Sequence, residues 1–230
     1  MMSRRQSLCP RPLWLVLLFS LVPLPAATQQ AWLPLKADDG SVIANHRVPT
    51  ELESEIEKLP GIVVVGNPKG DVTLAEFYDL NCPFCRKASI DLAELLRSDR
   101  ELKVVLVPFP VLGVPSIQAG RVELVLARVA TPAQFYQFHR KIYAGRGVVD
   151  GDRALAVARE LGFAPERIVE QANATAVTET MKAHVRLGDR LALSATPAYV
   201  IKGIAILGHP GRDALRKVIA SIRRCDKLVC

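Results

Sequence analysis

The chain has 230 residues, of which half are hydrophobic, and its formal net charge at pH 7 is +7. This length suits one ordinary domain or two small ones, and the apolar content can bury a sizeable core without a structural metal or a disulfide framework. No stripe of Lys and Arg with interleaved aromatic residues is present, which argues against a nucleic-acid-binding protein.

The amino terminus has the layout of a secretory signal peptide. Three arginines and no acidic residue precede the apolar run 13–24, and small residues follow it. We predict a signal peptide over residues 1–27, cleaved between Ala26 and Ala31, and a periplasmic location; an uncleaved anchor and a buried helix are the alternatives. Cleavage removes Cys9 and three positive charges, which leaves a net charge of about +4.

Residues 28–60 are predicted to form an arm and a short helix. The sequence before Pro49 is polar and aperiodic, as in a loose segment. Thr50 and Glu53 then have the spacing of a capping box, which predicts a helix that begins there and ends near Pro60.

The next part of the chain, 61–113, is predicted to be the first half of a sheet. The apolar runs 62–65 and 72–78 flank turn residues and are interpreted as neighbouring strands. Pro83 suits the first turn of a helix, and the apolar residues after it recur at helical spacing. A strand at 103–109 completes a strand–helix–strand unit, which predicts a parallel crossover.

A long helical stretch separates this unit from the second half of the sheet. The sum is an α/β sheet of four or five strands with a helical insertion between its halves. The predicted parts are the helical insertion 114–191, the second half of the sheet at 192–224 (strands 198–201 and 204–207 pairing back on each other, then helix 212–224) and a cysteine-containing tail at 225–230.

Four cysteines remain in the mature chain, as the two close pairs Cys82/Cys85 and Cys225/Cys230. Export would place them where disulfides form and persist. Cys82 opens a helix, where unpaired backbone N–H groups and the helix dipole favour an anion, so its thiol pKa is expected within the roughly 3.5–7.5 range of such cysteines. Cys85, one turn further along, is the expected resolving thiol.

A C-x-x-C pattern also occurs in zinc sites and among ordinary buried cysteines. Zinc would need two more ligands, and the only other thiols are the distant Cys225 and Cys230. The histidines lack ligand spacing, so we predict no metal and no cofactor. His139 and His184, in amphipathic helices, are interpreted as surface or interface residues.

The stretch 76–85 (EFYDLNCPFC) resembles the active-site segment of DsbA-like thiol–disulfide oxidoreductases. Residues 66–71 are similar to the turn before that segment, and 195–200 (ATPAYV) to the family's cis-proline loop. The resemblance covers about residues 60–224. It implies a thioredoxin fold with an inserted helical subdomain.

The resemblance also implies roles for single residues. Glu76 would lie buried under the disulfide, Pro197 would be cis and lie against the cysteines, and Thr196 would contact them or the incoming peptide. From its apolar surroundings, a partly buried Glu76 would have a raised pKa and exchange a proton with Cys85, whereas an edge-strand acid would face water.

Pro83 and Phe84 separate the two cysteines in this active-site loop. Phe84 stands where strongly oxidising family members have a histidine, so an intermediate reduction potential is expected. For Cys225 and Cys230, the ring size permits a structural disulfide, and a second redox pair is the alternative.

The leading hypothesis is an exported oxidase that introduces disulfides into cysteine-containing proteins and is reoxidised by a membrane partner resembling DsbB. The alternatives are an isomerase or reductase kept reduced by a membrane donor, and a non-enzymatic chaperone or copper-binding module. The short segment before the fold favours a monomer.

Overall fold

A computed structural model describes residues 32–230, which form six strands and eight helices. The predicted signal peptide, its cleavage site and Cys9 lie outside the described residues. The strands are β1 (Asn45–Arg47), β2 (Val63–Gly66), β3 (Val72–Tyr78), β4 (Leu102–Pro108), β5 (Ala198–Ile201) and β6 (Ile204–Leu207). The helices are α1 (Thr50–Ile56), α2 (Pro83–Ser98), α3 (Val114–Val129), α4 (Pro132–Ala144), α5 (Gly151–Glu160), α6 (Pro165–Ala172), α7 (Thr175–Arg190) and α8 (Arg212–Cys225). Within residues 32–230, none of the helices has the length and apolar character needed to cross a bilayer.

The six strands form one mixed sheet in the order β1-β6-β5-β3-β4-β2. β3 and β4 are parallel and are joined through α2, as the strand–helix–strand pattern predicts. The other neighbouring pairs are antiparallel, including the predicted pair of β5 and β6. Five helices, α3 to α7, lie between β4 and β5 along the chain. The prediction of an α/β sheet with a helical insertion is therefore confirmed.

β1 is a sixth strand, so the prediction of four or five strands is wrong. It comes from the segment that was interpreted as a loose arm, and it pairs antiparallel with β6 at the sheet edge. The Asn45 side chain fixes the segment before it, since its amide accepts a hydrogen bond from the Leu33 backbone N–H at 2.7 Å and donates to the Leu33 carbonyl at 2.9 Å. Three polar residues show no alternation of apolar and polar positions, and periodicity could not reveal this strand.

β2 and β3 are not neighbours, which corrects the interpretation of their sequences. β4 lies between them, and β2 forms the opposite edge of the sheet. The connecting turn passes around the start of β4, where the backbone N–H groups of Asn67 and Asp71 donate to the carbonyls of Leu102 and Glu101. A Cβ on Gly70 would lie 2.3 Å from the Glu101 carbonyl oxygen, so this close passage requires glycine.

The predicted capping box at Thr50 and Glu53 is also wrong. α1 does begin at Thr50, but no side chain caps it, and it ends at Ile56. The Glu53 carboxylate instead accepts a hydrogen bond from the backbone N–H of Gly203, at 2.9 Å, in the turn between β5 and β6. Glu53 is therefore engaged in a tertiary contact and does not cap the helix.

The central strands are buried on both faces. Leu74 and Tyr78 of β3 belong to the core formed with α2, α8 and the helical insertion, whereas Ala75 and Phe77 belong to a second core with α1 and α7. Because side chains alternate along a strand, Glu76 points to the same face as Leu74 and Tyr78. This face is the one that α2 covers.

His139 and His184 are buried, which contradicts their interpretation as surface or interface residues. The two ring nitrogens of His184 lie 2.7 Å from the carbonyl oxygens of Pro108 and Pro60. The ring of His139 packs edge-on against Tyr78 and Tyr143. Both histidines lie on the apolar sides of their helices, and hydrophobic periodicity does not distinguish a core histidine from a surface one.

Candidate active site

Cys82 is the N-cap residue of α2, and Pro83 occupies the first turn. The missing N–H of proline is no loss there, because the first helical N–H groups have no partner within the helix. The Sγ atom of Cys82 accepts a hydrogen bond from the backbone N–H of Cys85 at 3.3 Å. It also lies 3.1 Å from the carbonyl oxygen of Thr196, on a neighbouring loop.

Hydrogen-bond donors around this sulfur lower the pKa of Cys82 to about 6. The largest cause is a hydrogen bond from the Cys85 thiol, followed by one from the Thr196 side chain and by the backbone N–H groups of Cys85 and Phe84, while burial acts in the opposite direction. All of these donors stabilise the anionic sulfur. Cys82 is therefore mostly thiolate at neutral pH.

Cys85 has the opposite character. It is buried, and this burial raises its thiol pKa, as do the hydrogen bond to Cys82 and the charge of Cys82. Both thiols are free in the structure. The site thus holds one sulfur that is stable as an anion and one that is stable only when protonated.

Glu76 lies under the cysteines, on a strand in the middle of the sheet, and is 1 % exposed. Burial raises its pKa to about 8, the charge of Cys82 also raises it, and a hydrogen bond with the Tyr199 side chain lowers it. The charge of Glu76 in turn raises the pKa of Cys85. The position is that of a buried acid beside the cysteines and not that of an edge-strand acid in water.

The Thr196–Pro197 peptide bond is cis, and it lies directly before β5. Pro197 is buried, and Thr196 faces Cys82 through its carbonyl oxygen. A cleft of about 270 Å³ adjoins this loop, and Thr196, Ala195 and Leu193 line it together with Val111 and Leu112. Cys82 itself is 4 % exposed and does not line this cleft.

Exposed apolar side chains surround the reactive sulfur. Phe84, between the two cysteines, is 64 % exposed, and Val111 and Leu112 are exposed beside the cleft. Apolar patches of this kind mark interaction surfaces. These side chains offer an apolar contact surface close to the cysteines.

Sequence reasoning missed the polar residues that hold the cysteine loop. The Asp79 carboxylate accepts hydrogen bonds from the backbone N–H groups of Val111 and Leu112, at 2.8 and 2.9 Å, and from the Ser116 hydroxyl at 2.7 Å. The Asn81 side chain pairs with both backbone groups of Val149 at 2.8 Å. The one signal in the sequence was their position, since both lie between an apolar strand and the first cysteine.

Sequence reasoning also missed Tyr199 and His209. Their side chains meet at 2.9 Å, and His209 contacts Asp91 on α2 at 2.8 Å. In the sequence, Tyr199 is one more residue of an apolar strand, and His209 is one of several scattered histidines. Only the pairing of β5 with β3 brings them beside Glu76.

Cys225 and Cys230 are bonded to each other at the end of α8. The Ser221 hydroxyl lies 2.8 Å from Sγ of Cys230 and belongs to the preceding turn of the helix. α8 extends over 14 residues, or about 21 Å, between Arg212 and this disulfide.

Comparisons with known proteins agree with this geometry. A model of the DSBA-like thioredoxin domain family matches residues 73–220, a range that includes both active-site cysteines and the cis-proline loop. No curated protein matches the chain in sequence.

Solved structures share the fold. A thioredoxin-like oxidoreductase from Silicibacter pomeroyi DSS-3 is 28 % identical, with a TM-score of 0.69 over 75 % of this chain and 98 % of that one. A periplasmic thioredoxin-like protein from Salmonella enterica serovar Typhimurium is 23 % identical, with a TM-score of 0.66 over 76 % and 98 % of the two chains. The thiol-disulfide exchange protein alpha-DsbA2 from Wolbachia pipientis is 19 % identical, with a TM-score of 0.68 over 75 % and 92 %.

Proposed function

The chain belongs to the DSBA-like thioredoxin family, whose members are thiol–disulfide oxidoreductases that act on cysteine-containing substrates, and we propose that it introduces disulfides into exported proteins through Cys82 and Cys85. The observation that carries this proposal is the contrast between the two sulfurs. The pKa of Cys82 is lowered to about 6 at the start of α2, and that of the buried Cys85 is raised.

The reaction starts from the Cys82–Cys85 disulfide. A substrate thiolate attacks Sγ of Cys82; the bond between the substrate sulfur and Cys82 forms, and the Cys82–Cys85 bond breaks. The electron pair goes to Sγ of Cys85, which takes up a proton because its pKa is high. A second substrate thiolate then attacks the substrate sulfur, and Cys82 leaves as a thiolate. The substrate is oxidised by two electrons, and the enzyme is reduced by two.

The stability of the reduced enzyme supports this direction of electron flow. A stable Cys82 thiolate favours the reduced form, so the disulfide form is oxidising. Phe84 supplies no cation or polar donor next to this sulfur, and the hydrogen bonds come from Cys85, Thr196 and the backbone. These observations support an oxidase of intermediate potential.

The cellular setting is part of the same proposal. Residues 1–27 would direct export to the periplasm, where a membrane partner resembling DsbB would reoxidise the enzyme. The helical insertion 114–191 would serve as a subdomain that fixes the cysteine loop, and the protein would act as a monomer.

The test is oxidative refolding of a reduced, unfolded protein that contains cysteine pairs, with stoichiometric oxidised enzyme. We expect wild-type protein to form the disulfides, and Cys82→Ala and Cys85→Ala to be inactive, because neither variant can hold the Cys82–Cys85 disulfide. With a disulfide-bonded substrate instead, the Cys82 thiolate of Cys85→Ala should attack the substrate disulfide and accumulate as a mixed disulfide. A matched control is the double variant Cys225→Ser/Cys230→Ser, which should remain active.

Two further measurements separate the other functions. A Cys82/Cys85 pair that is reduced in intact cells, in a protein active in insulin reduction, would identify an isomerase or reductase. A protein inactive in both assays that binds Cu(I) tightly would be a copper-binding module, and the oxidase proposal would fail.

A further inference from the structure

A row of polar side chains leads from the buried Glu76 to the protein surface. Glu76 and Tyr199 are directly opposite each other in the pairing of β3 and β5, so their side chains lie on the same face of the sheet, and the Tyr199 side chain lowers the pKa of Glu76. One carboxylate oxygen of Glu76, Oε2, is buried and has no hydrogen-bond partner among residues 32–230. The Tyr199 hydroxyl lies 2.9 Å from Nδ1 of His209, and Nε2 of His209 lies 2.8 Å from Oδ2 of Asp91. The side chain of His209 is 2 % exposed and that of Asp91 19 %, so the row reaches solvent at Asp91.

We propose that Tyr199, His209 and Asp91 form a proton relay that connects Glu76 with solvent during thiol–disulfide exchange. This inference rests on the proposed function, and it adds a path by which protons enter and leave the site. The three residues act through Glu76 and not on the substrate.

Two protonation states satisfy every hydrogen bond of the relay. In the first, protonated Glu76 donates to the Tyr199 oxygen, the Tyr199 hydroxyl donates to Nδ1 of His209, and Nε2–H donates to the Asp91 carboxylate. In the second, the Glu76 carboxylate accepts from Tyr199, and a doubly protonated His209 donates to Tyr199 and to Asp91. One proton moves from Glu76 to Tyr199 and another from Tyr199 to His209, and no side chain has to rotate.

The charged groups around His209 come from three elements. Asp91 and Lys87 face it from α2, Asp38 faces it from the amino-terminal segment, and Tyr199 faces it from β5. Burial lowers the pKa of His209, Lys87 lowers it further, and the contact with Asp91 raises it. The doubly protonated state is therefore transient, and the proton rests on Glu76.

Burial is the main reason that Glu76, at the other end of the relay, stays protonated. Cys82, on α2, raises the pKa of Glu76 through its charge. The remaining titratable neighbours have raised pKa values and are protonated near neutral pH: Tyr78, Tyr136, Tyr143, Tyr199 and Cys85.

The relay has a task in each direction of the exchange. When the Cys82–Cys85 bond breaks, Cys85 takes the proton of Glu76, and the relay returns one from solvent to the carboxylate. When Cys85 attacks a mixed disulfide on Cys82, its proton passes to Glu76, which must first have lost its own proton through the relay. The thiols of the substrate supply the electrons, and solvent supplies or receives the proton.

The experiment measures the rate at which Cys85 resolves a mixed disulfide. Reduced mature protein is mixed rapidly with excess oxidised glutathione between pH 5 and 9, and the Cys82–glutathione adduct is followed after acid quenching. We expect Tyr199→Phe and His209→Gln to slow resolution about tenfold below the pKa of Glu76, because general acid–base assistance is worth at least that much. The difference should disappear above that pKa, where Glu76 is already a carboxylate.

The matched control is Tyr136→Phe. The buried hydroxyl of Tyr136 has no hydrogen-bond partner among residues 32–230, so its removal should leave the pH profile unchanged. If Tyr199→Phe does not fold, the measurement on His209→Gln alone is sufficient to test the relay. If the resolution rates of Tyr199→Phe and His209→Gln depend on pH as in the wild-type protein, the relay is wrong, while the oxidoreductase proposal is unaffected. A wild-type protein without Cys82-dependent exchange would overturn both.

Discussion

Cys82 and Cys85 are three residues apart at the start of one helix, yet the pKa of one thiol is lowered and that of the other is raised. Cys82 lies at the start of α2, where N–H groups and a thiol donate to its sulfur. Cys85 lies one turn further in, where apolar neighbours replace these donors and burial raises its pKa. The division into attacking and resolving thiol therefore follows from what surrounds each sulfur: donors at Cys82, and burial at Cys85.

Glu76 should destabilise the folded protein at neutral pH. Its pKa is about 8 in the folded state and about 4.5 as a free side chain, so stability falls as the pH rises from about 4.5 to 8. We expect Glu76→Gln to raise the free energy of unfolding at pH 7 by roughly 2–4 kcal/mol and to change it little below pH 4. Denaturant titrations of both proteins at these pH values test this, and an equal effect at both would contradict it.

The Cys82 thiolate should stabilise the reduced form in a pH-dependent way. A lowered pKa contributes stability that is fully present above the unfolded value of about 9 and is lost as the pH falls through about 6. At pH 7 this amounts to roughly 1–2 kcal/mol. The free energy of unfolding of the reduced wild-type protein should therefore exceed that of Cys82→Ser at pH 8, and this difference should disappear as the pH falls to 5. Chemical denaturation under reducing conditions measures this, and a constant difference would show that Cys82 is not a stabilised anion.

At the scale of elements, the connection between β2 and β3 depends on the absence of a side chain. Replacing Gly70 by alanine would put a Cβ 2.3 Å from the Glu101 carbonyl oxygen, and both partners are backbone. We expect Gly70→Ala to lower the free energy of unfolding by about 1–3 kcal/mol.

The matched control for this change is Gly151→Ala. Gly151 begins α5, and its nearest contact would be at an ordinary 3.4 Å. This variant should be neutral or slightly more stable. Thermal unfolding of the two variants side by side measures the contrast, and equal midpoints would contradict the close-passage argument.

The disulfide at the end of α8 should act on stability and not on catalysis. Closing the short loop between Cys225 and Cys230 should contribute about 2 kcal/mol through the entropy of the unfolded chain. We expect Cys225→Ser/Cys230→Ser to lower the unfolding midpoint while the rate of Cys82-dependent exchange stays the same. A variant that is fully stable but slow to be reoxidised would instead indicate a second redox pair.

At the scale of the whole molecule, local sequence patterns predicted the elements well and their neighbours less well. The helical insertion, the parallel crossover and the α/β class follow from periodicity and from the residues at helix starts. The order of the strands does not, because the turn at Asn67 indicates a change of direction and not which strand lies beside β2. β1 escaped detection because its pairing with β6 depends on residues about 160 positions away.

In the active site, too, residues in local motifs were predicted, and residues that depend on tertiary contacts were not. Cys82 and Cys85 were recognisable from a short local motif, and Pro197 from the resemblance of residues 195–200 to the family's cis-proline loop. Tyr199 and His209 were not, since a tyrosine in an apolar strand and a lone histidine acquire meaning only through the cross-strand contact with Glu76. Asp79 and Asn81 were adjacent to the motif, but their partners come from the later loop and the helical insertion.

The place of β1 has a consequence for biosynthesis. This strand leaves the ribosome early, but the strand that it pairs with, β6, is among the last parts of the chain to appear. β3 likewise pairs with β5, which is made late. Neither β1 nor β3 can complete its hydrogen bonds until these last strands are present. The sheet can therefore begin with β2, β3 and β4, but its other half forms only when the last quarter of the chain has been made.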